Sequence, residues 1–480
     1  MNRTTAGSDH NQRDLVIIGG GVSGLVIASI AGQLGLNISL IEKSARLGGD
    51  CLHYGCIPSK TLIHTAKLAS SMRQATCFGL PAFDPQVDIA KVNARIHSVI
   101  EQIQAHDDPE RFRGYGVDVR LGKGAHFIEA QQVETGGSII RGKRFVIATG
   151  SRPLMPEIPG LEDCGFVTNE DMYSLERLPT KLVVLGAGPV GLEMAQAFRR
   201  LGSRVTLIEA QSRILPDEDY DVSSILTEVL RADDIAIYTG IKAERISCEQ
   251  NRKTVHCSEG WSFDCDALLV AVGRRPNVDD LGLESAGVDY TPKGIKVDRR
   301  MRTSKAHIYA CGDVTGVMPF THVAEYQAGI VIGNALFRFP KKAAYSAIPW
   351  VIFTDPELAR VGKNKTQADA EGLKVETVCF EFQNIDRAKI EGSTLGLAKL
   401  TLYKGRIIGA SILGPHAGEL IHELALAVAK GCTPGDISGV VHAYPTLAEI
   451  NRRAANAYLS SRLFSNTSKR LVGLLNRWLA

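Results

Sequence analysis

The stretch GGDCLHYGCIPSK, residues 48–60, holds Cys51 and Cys56 with four residues between them, a glycine pair before them and Pro-Ser-Lys after. Sulfur at such spacing can hold a metal, staple a loop, or open and close during turnover. A structural zinc site takes four ligands, and its usual local pair is CxxC. Here the spacing is CxxxxC, a lone His53 lies between the thiols, and no second cysteine or histidine pair stands at ligand spacing. A permanent disulfide is out of place in a reducing compartment. A pair closing a short loop at the start of a helix, expected over 58–74, suits redox exchange better. Cys56 falls at that helix's N-terminus, where the dipole and free amides stabilise a thiolate. Cys51, further from the helix, is expected to be the more accessible sulfur. The residues read as a pair that cycles, and such a pair needs an electron source.

An internal repeat supplies the elements for one. LVIIGGGVSGLVIASIAGQLGLNISLIEK (15–43) is echoed by LVVLGAGPVGLEMAQAFRRLGSRVTLIEA (182–210). Each is an apolar strand, a glycine turn, a helix and a second strand ending in glutamate. In both copies 23 positions separate the first glycine from the acid, Gly19 to Glu42 and Gly186 to Glu209. That is the dinucleotide-binding fingerprint in the context it requires. The glycines let backbone approach a pyrophosphate at a helix N-terminus, and the carboxylate accepts ribose hydroxyls. Two copies imply two dinucleotides. FVIATGSRP (145–153), LLVAVGRRPN (268–277) and IYACGDVTG (308–316) read as further buried strands of these units. From 348 onward β-like runs (397–413) and helical ones (418–430) alternate without a glycine fingerprint, an α+β pattern.

Composition agrees with this and excludes other classes. The chain of 480 residues is 44% hydrophobic and 22% charged, with 47 glycines, as suits an α/β protein of about three domains. A net charge of +3 gives no footing for nucleic acid. No run of about 18 apolar residues marks a membrane span. The polar start MNRTTAGSDHNQR lacks an apolar signal core and reads as a floppy tail, so a cytoplasmic, reducing location is expected. There the eight other cysteines (77, 164, 248, 257, 265, 311, 379 and 432) read as small buried hydrophobes.

Residues 48–60, both fingerprints, ATG, CGD and FTDPE together resemble the flavin-dependent pyridine nucleotide–disulfide oxidoreductases, the family of dihydrolipoamide dehydrogenase, glutathione reductase and mercuric reductase. The resemblance covers roughly 14–460. It implies an α/β fold of two doubly wound, Rossmann-like dinucleotide-binding domains plus a C-terminal α+β dimerisation domain. FAD would occupy 14–156 with 281–346, NAD 157–280, and the homodimer interface 347–465. FAD is then assigned to Gly19, Gly21, Gly24, Glu42, Lys43, Gly49, Ala125, Thr149, Gly150, Asp313, His322 and Ala324. NAD(H) is assigned to Gly186, Gly188, Gly191, Glu209 and Gly273. Glu209 favours NADH over NADPH, because a carboxylate accepts the 2′-OH and repels a 2′-phosphate, although Arg213 stands near enough in sequence to help a phosphate. Lys60 and Glu193 match an ion pair near the flavin's reactive nitrogen. The resemblance has NADH reduce the flavin, Cys56 relay the electron pair into the disulfide, and Cys51 attack a small or protein-borne disulfide; dihydrolipoamide dehydrogenase runs the sequence in reverse.

One motif departs from the family. Its disulfide-reducing members carry His-Pro-Thr-x-x-Glu, the histidine acting as acid–base partner from the neighbouring subunit. Here the segment is HAYPTLAE (442–449): Glu449 is in place, Tyr444 occupies the histidine position and His442 lies two residues earlier. In an extended segment His442 would share a face with Tyr444, ~6.6 Å along the chain. Imidazole titrates near 6.5 and a phenol near about 10, so dithiol exchange loses its usual base. A mercuric-reductase-like or quinone- or metal-ion-reducing enzyme is the alternative, although the C-terminal cysteine pair of mercury enzymes is missing. A redox-sensing flavoprotein is the non-enzymatic alternative. After Glu449 no acidic residue occurs, and 466–480 sets Leu471, Leu474, Leu475, Trp478 and Leu479 near one face of a basic helix. Such a helix packs on the dimer, the reading placed ahead, or lies peripherally on the inner face of a membrane.

Overall fold

The computed structural model describes residues 12–249 and 252–478. The polar start up to residue 11 and Leu479 lie outside the described residues. The first repeat builds a five-stranded parallel sheet in the order Ile308–Ala310, Phe145–Ile147, Leu15–Ile18, Ile38–Ile41, Val117–Arg120. Leu15–Ile18 is buried at every position. Its unbroken apolar run follows from a parallel sheet covered on both faces. The helix Val22–Gln33 leaves the glycine turn and packs against Thr321–Ala335. The second repeat builds a four-stranded parallel sheet, ordered Ala236–Thr239, Arg204–Glu209, Lys181–Leu185, Ala267–Val270. Beside it lies an antiparallel sheet of Ala243–Glu249, Arg252–Cys257 and Ser262–Cys265. Ser151–Pro153 and Arg274–Pro276 pair antiparallel and carry the chain out to this unit and back.

From 349 onward five antiparallel strands form the third sheet, ordered Pro349–Ile352, Glu357–Gly362, Arg406–Gly414, Leu397–Tyr403, Glu376–Glu381. The helices Ala417–Lys430 and Glu449–Leu463 pack on it. Ion pairs clasp this unit to the second repeat: Lys399 Nζ reaches the buried Asp219 at 2.9 Å and the half-exposed Asp221 at 2.7 Å, and Arg360 faces the buried Glu218 at 3.3 Å. Desolvation offsets much of the attraction in such pairs, so their main effect is to fix how the two units sit.

Two expectations change. The helix after the cysteine motif is Cys56–Arg73, so Cys56 is its first residue, and Cys51 lies in a short helix, Gly49–His53. Pro58 sits inside the first turn, where its missing N–H costs no intrahelical bond. Of the eight scattered cysteines, Cys257, Cys265 and Cys311 are buried; Cys77, Cys248 and Cys379 are exposed, and Cys164 and Cys432 half-buried. The end of the described chain is a helix, Asn466–Trp478, with no buried residue, and Trp478 is 88% exposed. Among the described residues no helix is long and apolar enough to cross a membrane.

Candidate active site

The two glycine turns open on one cleft of about 3000 Å³, which also receives both thiols of the motif. Gly19 has φ +111°, and a Cβ there would lie 2.2 Å from the Ala148 carbonyl oxygen. A Cβ on Gly24 would lie 1.9 Å from the Gly19 oxygen, so the helix enters the turn only if position 24 is bare. The second copy repeats this geometry: Gly186 has φ +100°, and a Cβ on Gly191 would lie 1.9 Å from the Gly186 oxygen. The acidic residues match as well. Glu42 accepts from the amides of Gly20 (2.6 Å) and Ser44 (2.7 Å), and Glu209 from those of Ala187 (2.7 Å) and Gln211 (2.8 Å). Each carboxylate is thus held at the end of its strand with lone pairs to spare for hydroxyls. Gly21 and Gly188 precede their helices without any side-chain cap, which leaves amide donors free for phosphate. Both turns fit a dinucleotide.

Gly19, Gly21, Glu42, Lys43, Gly49, Ala125, Thr149, Gly150, Asp313, His322 and Ala324 line the first part of the cleft; Gly186, Gly188, Glu209 and Gly273 line the second. Gly24 and Gly191 are packing positions beneath it. Asp313 accepts from Ser151 Oγ at 2.7 Å, Ser151 in turn from Arg274 Nε at 2.8 Å, and Arg274 faces Asp50 at 3.1 Å. Burial raises the Asp313 carboxyl above its ordinary value, against the Ser151 hydrogen bond. Arg213 does not serve the cleft: its guanidinium donates to Ser223 Oγ at 2.7 Å and to the Glu218 carbonyl at 2.7 Å.

At the junction of the two repeats the thiols meet two helix starts. Cys56 opens Cys56–Arg73, and its Sγ lies 3.4 Å from Oγ1 of Thr321, which opens Thr321–Ala335. A hydrogen bond from the Cys51 thiol, the Thr321 hydroxyl and the charge on Lys60 bring the Cys56 thiol down to about 6, against burial and Glu193. The Cys51 thiol is pushed up, by its bond to Cys56 first and by burial. Cys56 is therefore the thiolate of the reduced pair. It is also the exposed member, while Cys51 is half-buried, the reverse of the expected order. Cys56 opens into the cleft beside Thr321, whereas Cys51 is folded into its own short helix. Lys60 Nζ lies 2.7 Å from Glu193 Oε2 and 4.6 Å from the centre of the Phe353 ring, and Glu193 Oε1 accepts from the Phe353 amide at 2.9 Å. Thr321 and Phe353 escaped the sequence reading. A threonine at a helix start was visible in MPFTHVAEY, but its partner lies 265 residues away.

The C-terminal segment stands apart. His442 and Tyr444 do not share a face: the His442 side chain is 6% exposed, Tyr444 69%. The loop is not an extended strand, and His442 is held by the Glu423 carboxylate at 3.1 Å and the Val440 carbonyl at 3.0 Å. Tyr444 Oη donates to Asp386 at 3.3 Å. Glu449 is buried and 3.6 Å from Arg453. None of the three lines the cleft of its own chain.

Comparison with known proteins agrees with this geometry. The family model described as pyridine nucleotide-disulphide oxidoreductase matches residues 13–328, and that of the family's dimerisation domain matches 348–455, which supports a homodimer. The chain is 36% identical over 462 residues to a dihydrolipoyl dehydrogenase of Bacillus subtilis (strain 168), covering 94% of this chain and 97% of that one. It is 33% identical over 448 residues to a mercuric reductase of Lysinibacillus sphaericus, covering 92% and 82%. Among solved structures it is similar to the Cu(II) complex of the HOCl-induced flavoprotein disulfide reductase RclA from Escherichia coli, with TM-score 0.83, 29% identity and 92% and 98% of the two chains covered. LpdA from Mycobacterium tuberculosis gives TM-score 0.85 at 26% identity over 95% and 100%. A duplicated dinucleotide cradle converging on a polarised dithiol thus meets its relatives: the chain belongs to the class I pyridine nucleotide–disulfide oxidoreductases and is an FAD-dependent disulfide oxidoreductase.

Proposed function

We propose that the protein is an NADH-dependent enzyme that exchanges electrons with a dithiol or disulfide substrate through Cys51 and Cys56, in the manner of dihydrolipoamide dehydrogenase, in the cytoplasm. The observation that carries this is the thiol pair itself, Cys51 and Cys56 on the wall of the cleft that both glycine turns open on, with Cys56 at a helix start beside Thr321. FAD, when bound by Gly19, Gly21, Glu42 and Asp313, supplies two-electron transfer between nucleotide and sulfur. We assign it 14–156 and 281–346, the nucleotide 157–280 and the subunit interface 347–465. Cys56 holds negative charge at the junction, Lys60 balances it, and Glu193 fixes Lys60 by reaching the Phe353 amide. Cys51 forms and breaks the bond to substrate sulfur. Glu209 with Arg213 turned to backbone carbonyls favours NADH over NADPH. The proposed subunit interface brings Tyr444, held by Asp386, toward the partner's thiol pair as the proton donor.

A second reading rests on Tyr444. With a phenol at the position of the usual imidazole, reduction of a soft or redox-active metal ion needs no base and would run where disulfide exchange is slow. The exposed helix Asn466–Trp478, basic at Lys469, Arg470 and Arg477, is proposed to touch an anionic membrane. The test is NADH consumption by the holoenzyme with lipoamide, glutathione disulfide, Hg²⁺, Cu²⁺ and a quinone in parallel, with NADPH run alongside. Turnover with lipoamide in excess of every metal ion supports the first reading. Turnover confined to metal ions or quinone, abolished by Cys56→Ser, supports the second. No turnover with any acceptor would overturn both and leave the sensing role.

A further inference from the structure

A second pair of thiols lies outside the cleft. Cys164 ends the short helix Leu161–Cys164, and Cys248 sits near the end of the strand Ala243–Glu249. The two segments are 84 positions apart in sequence, yet they are pressed together by backbone contacts. The Ile246 amide donates to the Pro159 carbonyl at 2.8 Å, and a Cβ on Gly160 would lie 2.1 Å from the Ile246 oxygen. Cys248 stands directly across the hairpin from Lys253. Facing residues of an antiparallel pair project to the same side, their Cβ atoms about 5 Å apart. The Lys253 ammonium in turn donates to the Cys164 carbonyl at 2.5 Å, which brings Cys164 onto that side. The Cys248 thiol stands close enough to the Cys164 thiol to act on its ionisation, which it raises. Cys248 is exposed and Cys164 half-buried, so a reagent meets Cys248 first.

The same two segments are walls of the cleft. Pro156, Glu157 and Ile158 line it just before Cys164, and Lys242, Ala243 and Glu244 just before Cys248. A bond between the thiols would fix these two walls to each other on the side of the second glycine turn.

We propose that Cys164 and Cys248 are a second, oxidisable dithiol that closes to a disulfide when small disulfides such as glutathione disulfide accumulate. The Cys248 thiolate attacks the reagent, breaking its S–S bond, forming a mixed disulfide and releasing one thiol. Cys164 then attacks the Cys248 sulfur, forming the protein disulfide and releasing the second thiol. One S–S bond forms and one breaks, and the two cysteine protons end on the two released thiols. Cys164 is the slower, resolving partner: burial, and after it the neighbouring Cys248 thiol, push its thiol up to about 11. A bridge with an exposed sulfur has a more oxidising potential than a buried structural one, so it opens again as the pool is reduced.

The experiment incubates the full-length holoenzyme in glutathione buffers of rising disulfide-to-thiol ratio, blocks free thiols with N-ethylmaleimide, and maps peptides by mass spectrometry without reduction. The expected result is a cross-linked peptide joining Cys164 to Cys248, reversed by reduced glutathione. N-ethylmaleimide labelling of Cys164 falls about ten-fold in the wild type and is unchanged in Cys248→Ser. Cys51 and Cys56 are scored in the same digest, so oxidation of the catalytic pair is read separately. Recovery of Cys164 and Cys248 as separate maleimide or glutathione adducts, in a buffer that fully closes Cys51–Cys56, would overturn the proposal. So would a cross-link from Cys164 to any other cysteine.

Discussion

The ionisation of Cys56 is open to a direct test through Thr321. In the reduced protein the thiol stands at about 6 instead of the ordinary 9.0. At pH 7 the first value leaves roughly nine-tenths of the sulfur as thiolate and the second roughly one-hundredth. Thr321→Val deletes one of the supporting hydrogen bonds, at 3.4 Å, while leaving the Cys51 thiol and Lys60 in place. A hydrogen bond to a charged group contributes about 1.5–3 kcal/mol. A long O–H···S contact belongs at the lower end, and about 1.4 kcal/mol corresponds to one pH unit. The midpoint should therefore rise by about one unit, and at pH 6 the thiolate fraction should fall from roughly a half to roughly a tenth. Thiolate absorbance near 240 nm, taken as the difference between reduced wild type and reduced Cys56→Ser and titrated below pH 8, reads this sulfur, because the Cys51 thiol is pushed the other way. Because the folded-state value lies below the ordinary one, the thiolate should persist as pH falls through 7 and be lost only near 6. A wild-type midpoint above about 8, or a Thr321→Val titration superimposable on wild type, would refute the assignment of the thiolate to Cys56.

Other perturbations probe the neighbouring parts. Lys60→Met should raise the same midpoint and Glu193→Gln should lower it, since Lys60 favours and Glu193 opposes the thiolate; shifts of the same sign in both would contradict this. Gly24→Ala places a methyl 1.9 Å from the Gly19 oxygen and should yield protein depleted in flavin, whereas Gly191→Ala should keep its flavin and lose nucleotide binding, read by flavin absorbance per chain and by KM for NADH. Overpacking of this kind costs about 1–3 kcal/mol, so both variants should also melt several degrees earlier. Tyr444→His should raise lipoamide turnover about 100-fold if proton transfer limits it, while His442→Ala, tied to Glu423 in its own chain, should leave the pH profile of turnover unchanged. Ending the chain at 465 should abolish co-sedimentation with anionic vesicles; equal binding by the shortened chain would end the membrane reading.

What was legible in the sequence is what chemistry forces to be local. A pyrophosphate cradle needs bare backbone at fixed steps from a strand end, so Gly19, Gly24 and Glu42, and again Gly186, Gly191 and Glu209, declare themselves within one short stretch each. The cysteine motif is local for the same reason, and so is the helix start that favours a thiolate at Cys56. The tuning of that thiolate is only partly local. Cys51, Lys60, Glu193 and Thr321 come from three separated stretches, and Phe353, just past the first strand of the third sheet, orients Glu193. Only the packing of helix Cys56–Arg73 against Pro189–Leu201 brings Lys60 and Glu193 within 2.7 Å. The misreadings share this origin. An extended segment would set His442 beside Tyr444, but its bond to Glu423 turns the ring inward. Cys164 and Cys248 looked like scattered apolar fillers because nothing in either neighbourhood marks the other; Gly160, which must be bare for its segment to lie against Ile246, is the residue that joins them. Reactive groups are thus written where they stand, and their reactivity is written in whatever the fold sets against them. It follows that variants at Thr321 and Glu193, outside the cysteine motif, should move the ionisation of this enzyme's thiolate more than conservative changes at its own immediate neighbours such as Ile57.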